Sequence, residues 1–285
     1  MAPGTPRTTL NCRGRLLDLA EPRILAVVNL TPDSFSDGGQ LASAQAVVDR
    51  VGVLLEEGAD AIDLGAVSSR PGAAEVSESE ELDRLAPFSA VRRAFPAALF
   101  SVDTFRAPVA QALLEAGADI VNDISAGRFD PGMFATCAQY QAPLIAMHSR
   151  GRSVHELHAD SHYDDVVAEV WGYFVERVGA AQAAGLYDLV LDPGFGFGKD
   201  PGTNFRLLRA LGHLAELGYP LAIGLSRKRM LRALTGSADY AATEAPAAAL
   251  HFQALLAGVR ILRVHAVAPT RAVVAAWRAY QDAGV

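Results

Sequence analysis

The feature that most constrains the fold of this chain is a short apolar run that recurs about eight times along its length. Each run ends in a polar or glycine residue and precedes a loop and a longer segment with helical spacing, which is typical of βα units. The predicted strands are Ile24–Val28, Ala61–Leu64, Leu99–Val102, Asp119–Val121, Leu144–Met147, Leu189–Leu191, Leu221–Ile223 and Ile261–Val264. Because these runs do not alternate with polar residues, they favour parallel strands buried on both faces. The pattern predicts an α/β fold, a single-domain (β/α)8 TIM barrel.

Amphipathic segments between the runs predict the helices, and several of them end at a glycine. These segments are Ala44–Glu57, Glu78–Phe95, Pro108–Ala116, Tyr163–Ala184, Arg206–Leu217, Lys228–Leu234, Ala245–Ala257 and Thr270–Ala283. No linker rich in proline, glycine or serine divides the chain. We therefore expect one barrel domain over residues 21–285, preceded by a tail or short hairpin over residues 1–20.

Composition narrows the class of protein and of partner. The chain has 285 residues, of which 51% are hydrophobic, so it can bury a substantial core. A net charge of -7 argues against a nucleic-acid partner. Cys12 and Cys137 form no CxxC pair, which favours a reducing, cytoplasmic location. No apolar stretch has the roughly 18 residues of a membrane span, so we expect no membrane association.

Polar side chains stand at the end of nearly every predicted strand. The active site of such a barrel lies at the C-terminal ends of its strands, so these side chains are candidates for function. They are Asn29, Asp63, Asp103, Asn122, Asp123, His148, Asp192, Ser226, Arg227, Lys228, Arg263 and His265. The alternative is that they cap helices and close turns, which asparagine, aspartate and serine often do. Turns, however, do not require arginine, lysine and histidine beside several carboxylates at one rim.

The last strand predicts an anion site. Arg263 and His265 are two residues apart, so strand alternation points both side chains to the same side. Arginine binds phosphate in a bidentate manner and an imidazolium adds a second charged donor, so the pair suits a diphosphate. The alternative is a salt bridge from Arg263 to a neighbouring carboxylate. Asn29 offers a neutral oxygen to Mg²⁺, an ion that commonly sits against substrate phosphates.

The barrel mouth predicts a pocket for a flat heterocycle rich in N–H groups. A carboxylate that accepts from an amino group and a ring N–H makes a two-point contact, and such sites discriminate strongly. The lining residues would be Asp63, Asp103, Asn122, Asp192 and Lys228. Two long loops, Thr31–Gln40 and Ala66–Ser77, are predicted lids that carry Phe35 and Arg70. Alternatively, Phe35 packs in the core and Arg70 pairs with a nearby glutamate.

Two further patterns are weaker. The glycine-rich run Gly194–Lys199 departs from the phosphate-loop pattern, and we interpret it as a bent loop with Phe197 walling an aromatic pocket. His155, His158 and His162 have spacings that would suit metal ligands on a helix, but they fall in a loop of mixed charge.

Seven segments together resemble the motifs of dihydropteroate synthases, in the order that this family has them. They are VNLTPDSFSDGG at 28–39, SSRPGA at 68–73, SVDT at 101–104, VNDI at 121–124, LDPGFGFGK at 191–199, SRK at 226–228 and RVH at 263–265. The match spans about residues 24–270. The resemblance implies condensation of 6-hydroxymethyl-7,8-dihydropterin diphosphate with p-aminobenzoate, a transferase step of folate biosynthesis that uses Mg²⁺.

The resemblance also implies a role for each matching residue. Pterin would be held by Asp103, Asn122, Asp192 and Lys228, and the diphosphate with Mg²⁺ by Asn29, Arg263 and His265. The p-aminobenzoate pocket would be formed by Phe35, Ser69, Arg70, Phe197 and Ser226. The family resemblance further suggests a homodimer, with the last two alanine-rich helices as its interface.

The chain departs from the family pattern at two positions beside the site. Val67 stands where the family usually has glutamate, and Ala266 stands where it usually has aspartate after the histidine. Both changes remove negative charge. They suggest a divergent member that is insensitive to sulfonamides, which mimic p-aminobenzoate. The alternatives are a pterin-binding module like those of corrinoid methyltransferases, which needs no diphosphate clamp, and an inactive paralogue.

Overall fold

A computed structural model describes residues 7–31, 43–69, 72–151, 153–158, 162–237 and 239–283. Its first element is an antiparallel hairpin of β1 (Thr9–Cys12) and β2 (Arg15–Asp18). The buried side chains of the hairpin, Leu10, Cys12, Leu17 and Leu19, pack in one cluster with Leu25, Ala61, Leu99, Ile120, Ile145, Val190, Ala222 and Ile261. These partners lie at or near the starts of the barrel strands. The hairpin therefore closes the end of the barrel opposite the strand C-termini.

Eight parallel strands form the barrel. They are β3 (Arg23–Asn29), β4 (Ala61–Gly65), β5 (Leu99–Asp103), β6 (Ile120–Asp123), β7 (Leu144–Met147), β8 (Leu189–Asp192), β9 (Ala222–Ile223) and β10 (Ile261–Val264). The pairing runs in chain order from β3 to β8, and β10 lies between β3 and β9. A parallel bridge between Leu191 and Leu221 joins β8 to the start of β9 and closes the circle. The predicted fold class is confirmed.

The helices cover the outside of the barrel. They are α1 (Ala44–Glu56), α2 (Glu78–Leu85), α3 (Phe88–Ala94), α4 (Ala107–Glu115), α5 (Met133–Tyr140), α6 (Val166–Ala183), α7 (Pro201–Arg209), α8 (Leu211–Ala215), α9 (Arg229–Thr235), α10 (Glu244–Leu256) and α11 (Val267–Asp282). None of the helices in the described ranges combines the length and the apolar composition that a membrane span requires. The division into a tail of residues 1–20 and a domain of residues 21–285 stays a prediction.

Three helical segments differ from the sequence prediction. Where one helix was predicted over Arg206–Leu217, the structure has α7 (Pro201–Arg209) and α8 (Leu211–Ala215). The segment predicted as one helix over Glu78–Phe95 divides at Pro87, because proline cannot donate the backbone bond that a continuous helix requires. Helix α5 was not predicted. It is short, and it ends at Gln141 in the left-handed conformation (φ 52°) rather than at a glycine, so the usual stop signal is missing.

Candidate functional site

A cavity of about 570 Å³ opens at the C-terminal ends of the strands. Its walls include the predicted residues Asn29, Ser69, Asp103, Phe197, Ser226, Lys228, Arg263 and His265. A narrower pocket of about 30 Å³ shares Asp103, Lys228 and Arg263 with it and adds Asn122 and Asp192. The fold thus brings together residues that are up to 236 positions apart in the chain, from Asn29 to His265.

Arg263 of β10 joins two carboxylates at the base of the cavity. Its Nε donates to Asp63 Oδ2 at 2.7 Å, and its Nη2 donates to Asp103 Oδ2 at 2.6 Å. Asp63 Oδ2 also accepts from the Asn122 side-chain amide at 3.0 Å. Burial by itself lowers the pKa of Arg263, but Asp63 and Asp103 outweigh that effect and raise it above its ordinary value. The guanidinium therefore stays charged and is held in a fixed orientation.

Asp63 stays a predicted ligand-contact residue. Its side chain is fully buried, and it is part of the lining of neither the large cavity nor the narrow pocket. The sequence predicted direct contact with a ligand because Asp63 lies within the end of a predicted strand. In the structure its Oδ2 positions Arg263 and Asn122, whereas its buried Oδ1 has no hydrogen-bond partner among the described residues.

The loop after β8 is built around Asp192 and Lys199. Asp192 Oδ1 accepts from the Gly194 N–H at 2.8 Å. The buried Lys199 ammonium donates to the Gly194 and Phe197 carbonyls at 2.9 and 3.1 Å, and lies 3.1 Å from His148 Nδ1. Three acceptors thus match the three N–H donors of an ammonium. Lys199 was not predicted as a site residue, and its position directly after the glycine-rich run was the available signal.

Phe197 forms an aromatic wall of the large cavity. The Lys228 ammonium lies 4.2 Å from its ring centroid, within the range of a cation–π contact. The His158 ring stacks on Phe197 with a centroid separation of 5.6 Å and an interplanar angle of 19°. His158 Nε2 also lies 3.0 Å from the Ser69 carbonyl oxygen. Three loops therefore meet at this wall.

His265 and Asn29 occupy the other side of the cavity. His265 Nδ1 lies 3.2 Å from the Ser226 hydroxyl, which also accepts from the His265 backbone N–H at 3.4 Å. Asn29 is the last residue of β3 and lines the same cavity as His265 and Arg263. The three side chains present a guanidinium, an imidazole and an amide to a common space. Such a set fits an anion with an accompanying hard cation.

The pKa values of several titratable groups in the site are shifted in the direction that favours the neutral form. Desolvation raises the pKa of Asp103 to about 7 against the opposing charge of Arg263, and the neighbouring Asp63 adds to the rise. Burial also raises the pKa of Asp192. Burial lowers the pKa of Lys228 to about 8, with Arg263 acting in the same direction. Clustered shifts of this kind mark a candidate active site.

Other predicted residues either do not line the cavity or lie outside the described residues. His148 and Asp123 also end strands, but they are buried in local contacts: Asp123 accepts from Ser125 and Gly127, and His148 faces Lys199. Phe35 and Arg70 lie outside the described residues. Their predicted roles at the lid loops stay predictions.

The sequence profile of the pterin binding enzymes matches residues 25–265. The chain belongs to the pterin-binding enzyme family. Dihydropteroate synthase of Streptococcus pyogenes serotype M18 is 40% identical over 92% of this chain and 97% of its own, and that of Haemophilus influenzae is 39% identical over 96% and 99%. The predicted family and enzyme class, a transferase of folate biosynthesis, are confirmed by these relatives.

Solved structures give the same result. Dihydropteroate synthase of Xanthomonas albilineans with 4-aminobenzoic acid is 44% identical, with a TM-score of 0.89 over 96% of this chain and 98% of that one. A second structure of the Xanthomonas albilineans enzyme, in complex with 7,8-dihydropteroate, has a TM-score of 0.85 at 42% identity over 96% and 98%. The Yersinia pestis enzyme with a sulfonamide drug complex has a TM-score of 0.89 at 36% identity over 96% and 99%.

Proposed function

We propose that this cavity condenses 6-hydroxymethyl-7,8-dihydropterin diphosphate with p-aminobenzoate to give dihydropteroate and diphosphate. The observation that carries the proposal is the position of Arg263. Its guanidinium is held by Asp63 and Asp103, and it lines one continuous space with Asp192 and Lys228. A cation that binds the leaving group and carboxylates that bind the heterocycle thus meet at one mouth. A module that binds pterin without diphosphate would not need this arrangement.

The narrow pocket is the proposed pterin site. Asp192 and Asp103 would accept from the amino and ring N–H groups of the pterin, while Asn122 and Lys228 supply further donors. Asp63 supports this pocket from below by holding the Asn122 amide. Because the pocket is largely buried, an analogue without matching N–H groups would leave these carboxylates without partners, which is costly.

Arg263 and His265 are the proposed diphosphate ligands, with Asn29 beside them. The donor set fits Mg²⁺, since one protein amide oxygen beside an anion site is the kind of environment in which this ion binds through substrate phosphates and water. Asn29 would hold the ion, which would neutralise charge on the phosphate oxygens.

The wider end of the cavity is the proposed p-aminobenzoate site. Ser69, Phe197 and Ser226 line it and offer an aromatic face and two hydroxyl groups. Phe35 and Arg70 would complete it from the lid loops. In this arrangement the aryl amine approaches the pterin methylene from the side of Phe197, away from Arg263.

The reaction breaks the bond between the pterin methylene carbon and the diphosphate oxygen. The electron pair leaves with diphosphate, where Arg263 and His265 stabilise the developing negative charge. The carboxylates of Asp103 and Asp192 stabilise the cationic pterin that remains. The amine nitrogen then forms the new C–N bond and releases one proton. The contribution of these residues is therefore electrostatic and positional.

Three further features belong to the proposal. Val67 lines the large cavity and Ala266 follows His265, so loss of two family carboxylates beside the site would reduce sulfonamide sensitivity. A homodimer would form through α10 and α11, on which Leu256 and Tyr280 are 46% and 60% exposed. A cytoplasmic location fits the two free, buried cysteines.

The test is a turnover assay with the pterin diphosphate, p-aminobenzoate and Mg²⁺. Diphosphate release that requires the aryl amine would support the proposal. The Arg263→Met variant should lose this release, whereas Arg93→Met, on the exposed face of α3, should keep it. Intact pterin binding without turnover in the wild type would reject the proposal and identify an inactive paralogue.

A further inference from the structure

His158 connects three loops that surround the wide end of the cavity. It lies in the loop after β7, immediately beyond a short 3₁₀ turn at Val154–Glu156. Its Nε2 is 3.0 Å from the carbonyl oxygen of Ser69, in the loop after β4. Its ring stacks on Phe197, in the loop after β8.

The bond to Ser69 requires a hydrogen on Nε2 of the imidazole. A backbone carbonyl oxygen can only accept, so His158 Nε2 must carry a hydrogen. Both the neutral Nε2–H tautomer and the imidazolium satisfy this requirement. The contact is therefore a directional hydrogen bond from the loop after β7 to the backbone of a residue that lines the cavity.

The stacked rings of His158 and Phe197 also form part of a partition. Phe197 lines the large cavity, whereas His158 lines a second cavity of about 570 Å³ together with Phe105, Phe129 and Val154. Both cavities share Val67. A side chain that shields Phe197 from the second cavity restricts where its ring can move, because the ring would otherwise have empty space behind it.

We propose that His158 is a specificity-determining positioning residue for the aryl amine. Its N–H fixes the Ser69 backbone and its ring fixes the Phe197 wall, so the wide end of the cavity has its binding shape only when the loop after β7 is docked. This inference rests on the proposed function, since it assigns that end of the cavity to p-aminobenzoate. His158 does not itself line the narrow pocket, but Ser69 and Phe197 line both spaces, so loss of His158 should affect the pterin less than the aryl amine.

Three variants separate the two contacts. His158→Gln retains an N–H donor and removes the ring, His158→Phe retains the ring and removes the donor, and His158→Ala removes both. We expect KM for p-aminobenzoate to rise roughly fivefold in each of the first two and roughly 20-fold in the third, with a smaller rise in KM for the pterin diphosphate. His155→Gln and His155→Phe, in the exposed part of the same turn, are the matched controls and should change neither KM.

The outcomes separate this inference from the proposed function. Unchanged KM values in all three His158 variants, or a parallel rise for both substrates, would overturn the assignment and leave His158 with a structural role only. A wild-type enzyme without turnover would instead reject the proposed function. In that case calorimetric titration of p-aminobenzoate into wild type and variants tests His158 directly, and equal affinities would overturn it.

Discussion

Arg263 Nε donates to Asp63 Oδ2 at 2.7 Å, so a fully buried carboxylate orients the arginine that lines the cavity. Because 22% of the Arg263 side chain is exposed, its charge is only partly desolvated. The carboxylate is therefore the more strongly buried partner. The Asp63–Arg263 ion pair therefore joins a residue of the barrel interior to a residue that lines the cavity.

Asp63→Ala should destabilise the protein and impair turnover together. Removing one partner of a buried ion pair leaves the other without compensation, although Asp103 still binds the arginine. We expect a loss of roughly 3 kcal/mol in the free energy of unfolding, measured by urea denaturation, and a fall in kcat/KM for the pterin diphosphate of about tenfold or more. The matched Asp60→Ala variant loses partly buried ion pairs with Arg23 and Arg271, just before the start of the same strand. The Asp60→Ala variant should keep kcat/KM. An equal loss of kcat/KM in both variants would contradict a role of Asp63 at the site.

The pH dependence of kcat/KM for the pterin diphosphate should be bell-shaped. The Asp103 carboxylate must be ionised to stabilise a cationic pterin, and its pKa is raised to about 7, so activity should fall as pH drops through that value. Lys228 must be protonated to act as a cation, and its pKa is lowered to about 8, so activity should fall above it. Values of kcat/KM from initial rates between about pH 5.5 and 9.5 report both pKa values for the free enzyme. Lys228→Arg should remove the alkaline limb if that limb belongs to Lys228.

The same shift in Asp103 predicts a trend in stability. Its pKa in the folded protein lies above the ordinary value of 3.8, so the folded state binds the proton more tightly than the unfolded state. Its contribution to stability is full below pH 3.8 and is lost as pH rises towards about 7. Asp103→Asn should therefore reduce the slope of the free energy of unfolding in this window. If the variant had the same pH dependence of the free energy of unfolding as the wild type, the trend would belong to another titratable group.

Lys199→Met should loosen the loop after β8. The substitution keeps the length of the side chain but leaves the Gly194 and Phe197 carbonyls and His148 Nδ1 without their buried donor. We expect a loss of about 2 to 4 kcal/mol in the free energy of unfolding. Burial lowers the pKa of Lys199 to about 7 from 10.5, so the wild type gains stability relative to the variant as pH rises through this range. Urea denaturation at pH 7 and pH 9 checks both statements, and a smaller difference at pH 9 would contradict the second.

Ala266→Asp should stabilise α11. Ala266 is the N-cap of this helix, has an extended backbone (φ -113°, ψ 101°) and provides no capping bond. An aspartate there can accept from the Ala268 N–H, whereas Pro269 has no N–H to offer. We expect a gain of about 0.5 to 1 kcal/mol in the free energy of unfolding. Thermal denaturation measures it, and Ala266→Asn gives the cap without the charge.

Adding Val67→Glu to Ala266→Asp tests the proposed insensitivity to sulfonamides. The two carboxylates restore the family pattern beside the site, so the double variant should be inhibited by a sulfonamide at a concentration at least about tenfold lower than the wild type. The measurement is inhibition of diphosphate release at a fixed ratio of p-aminobenzoate to its KM. Equal and strong inhibition of both proteins would remove the proposal.

The pattern of apolar runs predicted the barrel strands to within one or two residues because each strand is buried on both faces. Strand ends could be recognised for the same reason: a polar residue cannot continue a buried run, so Asp103, Asn122, Asp192 and Arg263 mark the rim where each run stops. Helix α5, which ends at Gln141 rather than at a glycine, was missed. The local signal for a stop was simply absent there.

The sequence by itself determined the fold class, the family and the rim on which the site lies, since all three depend on the order of short local patterns. Only the tertiary structure decided that Asp63 binds Arg263, 200 positions away, and that Lys199 and His158 contact the Phe197 loop. These contacts depend on the closure of the barrel, which sets neighbours across the interior by strand register and not by spacing along the chain.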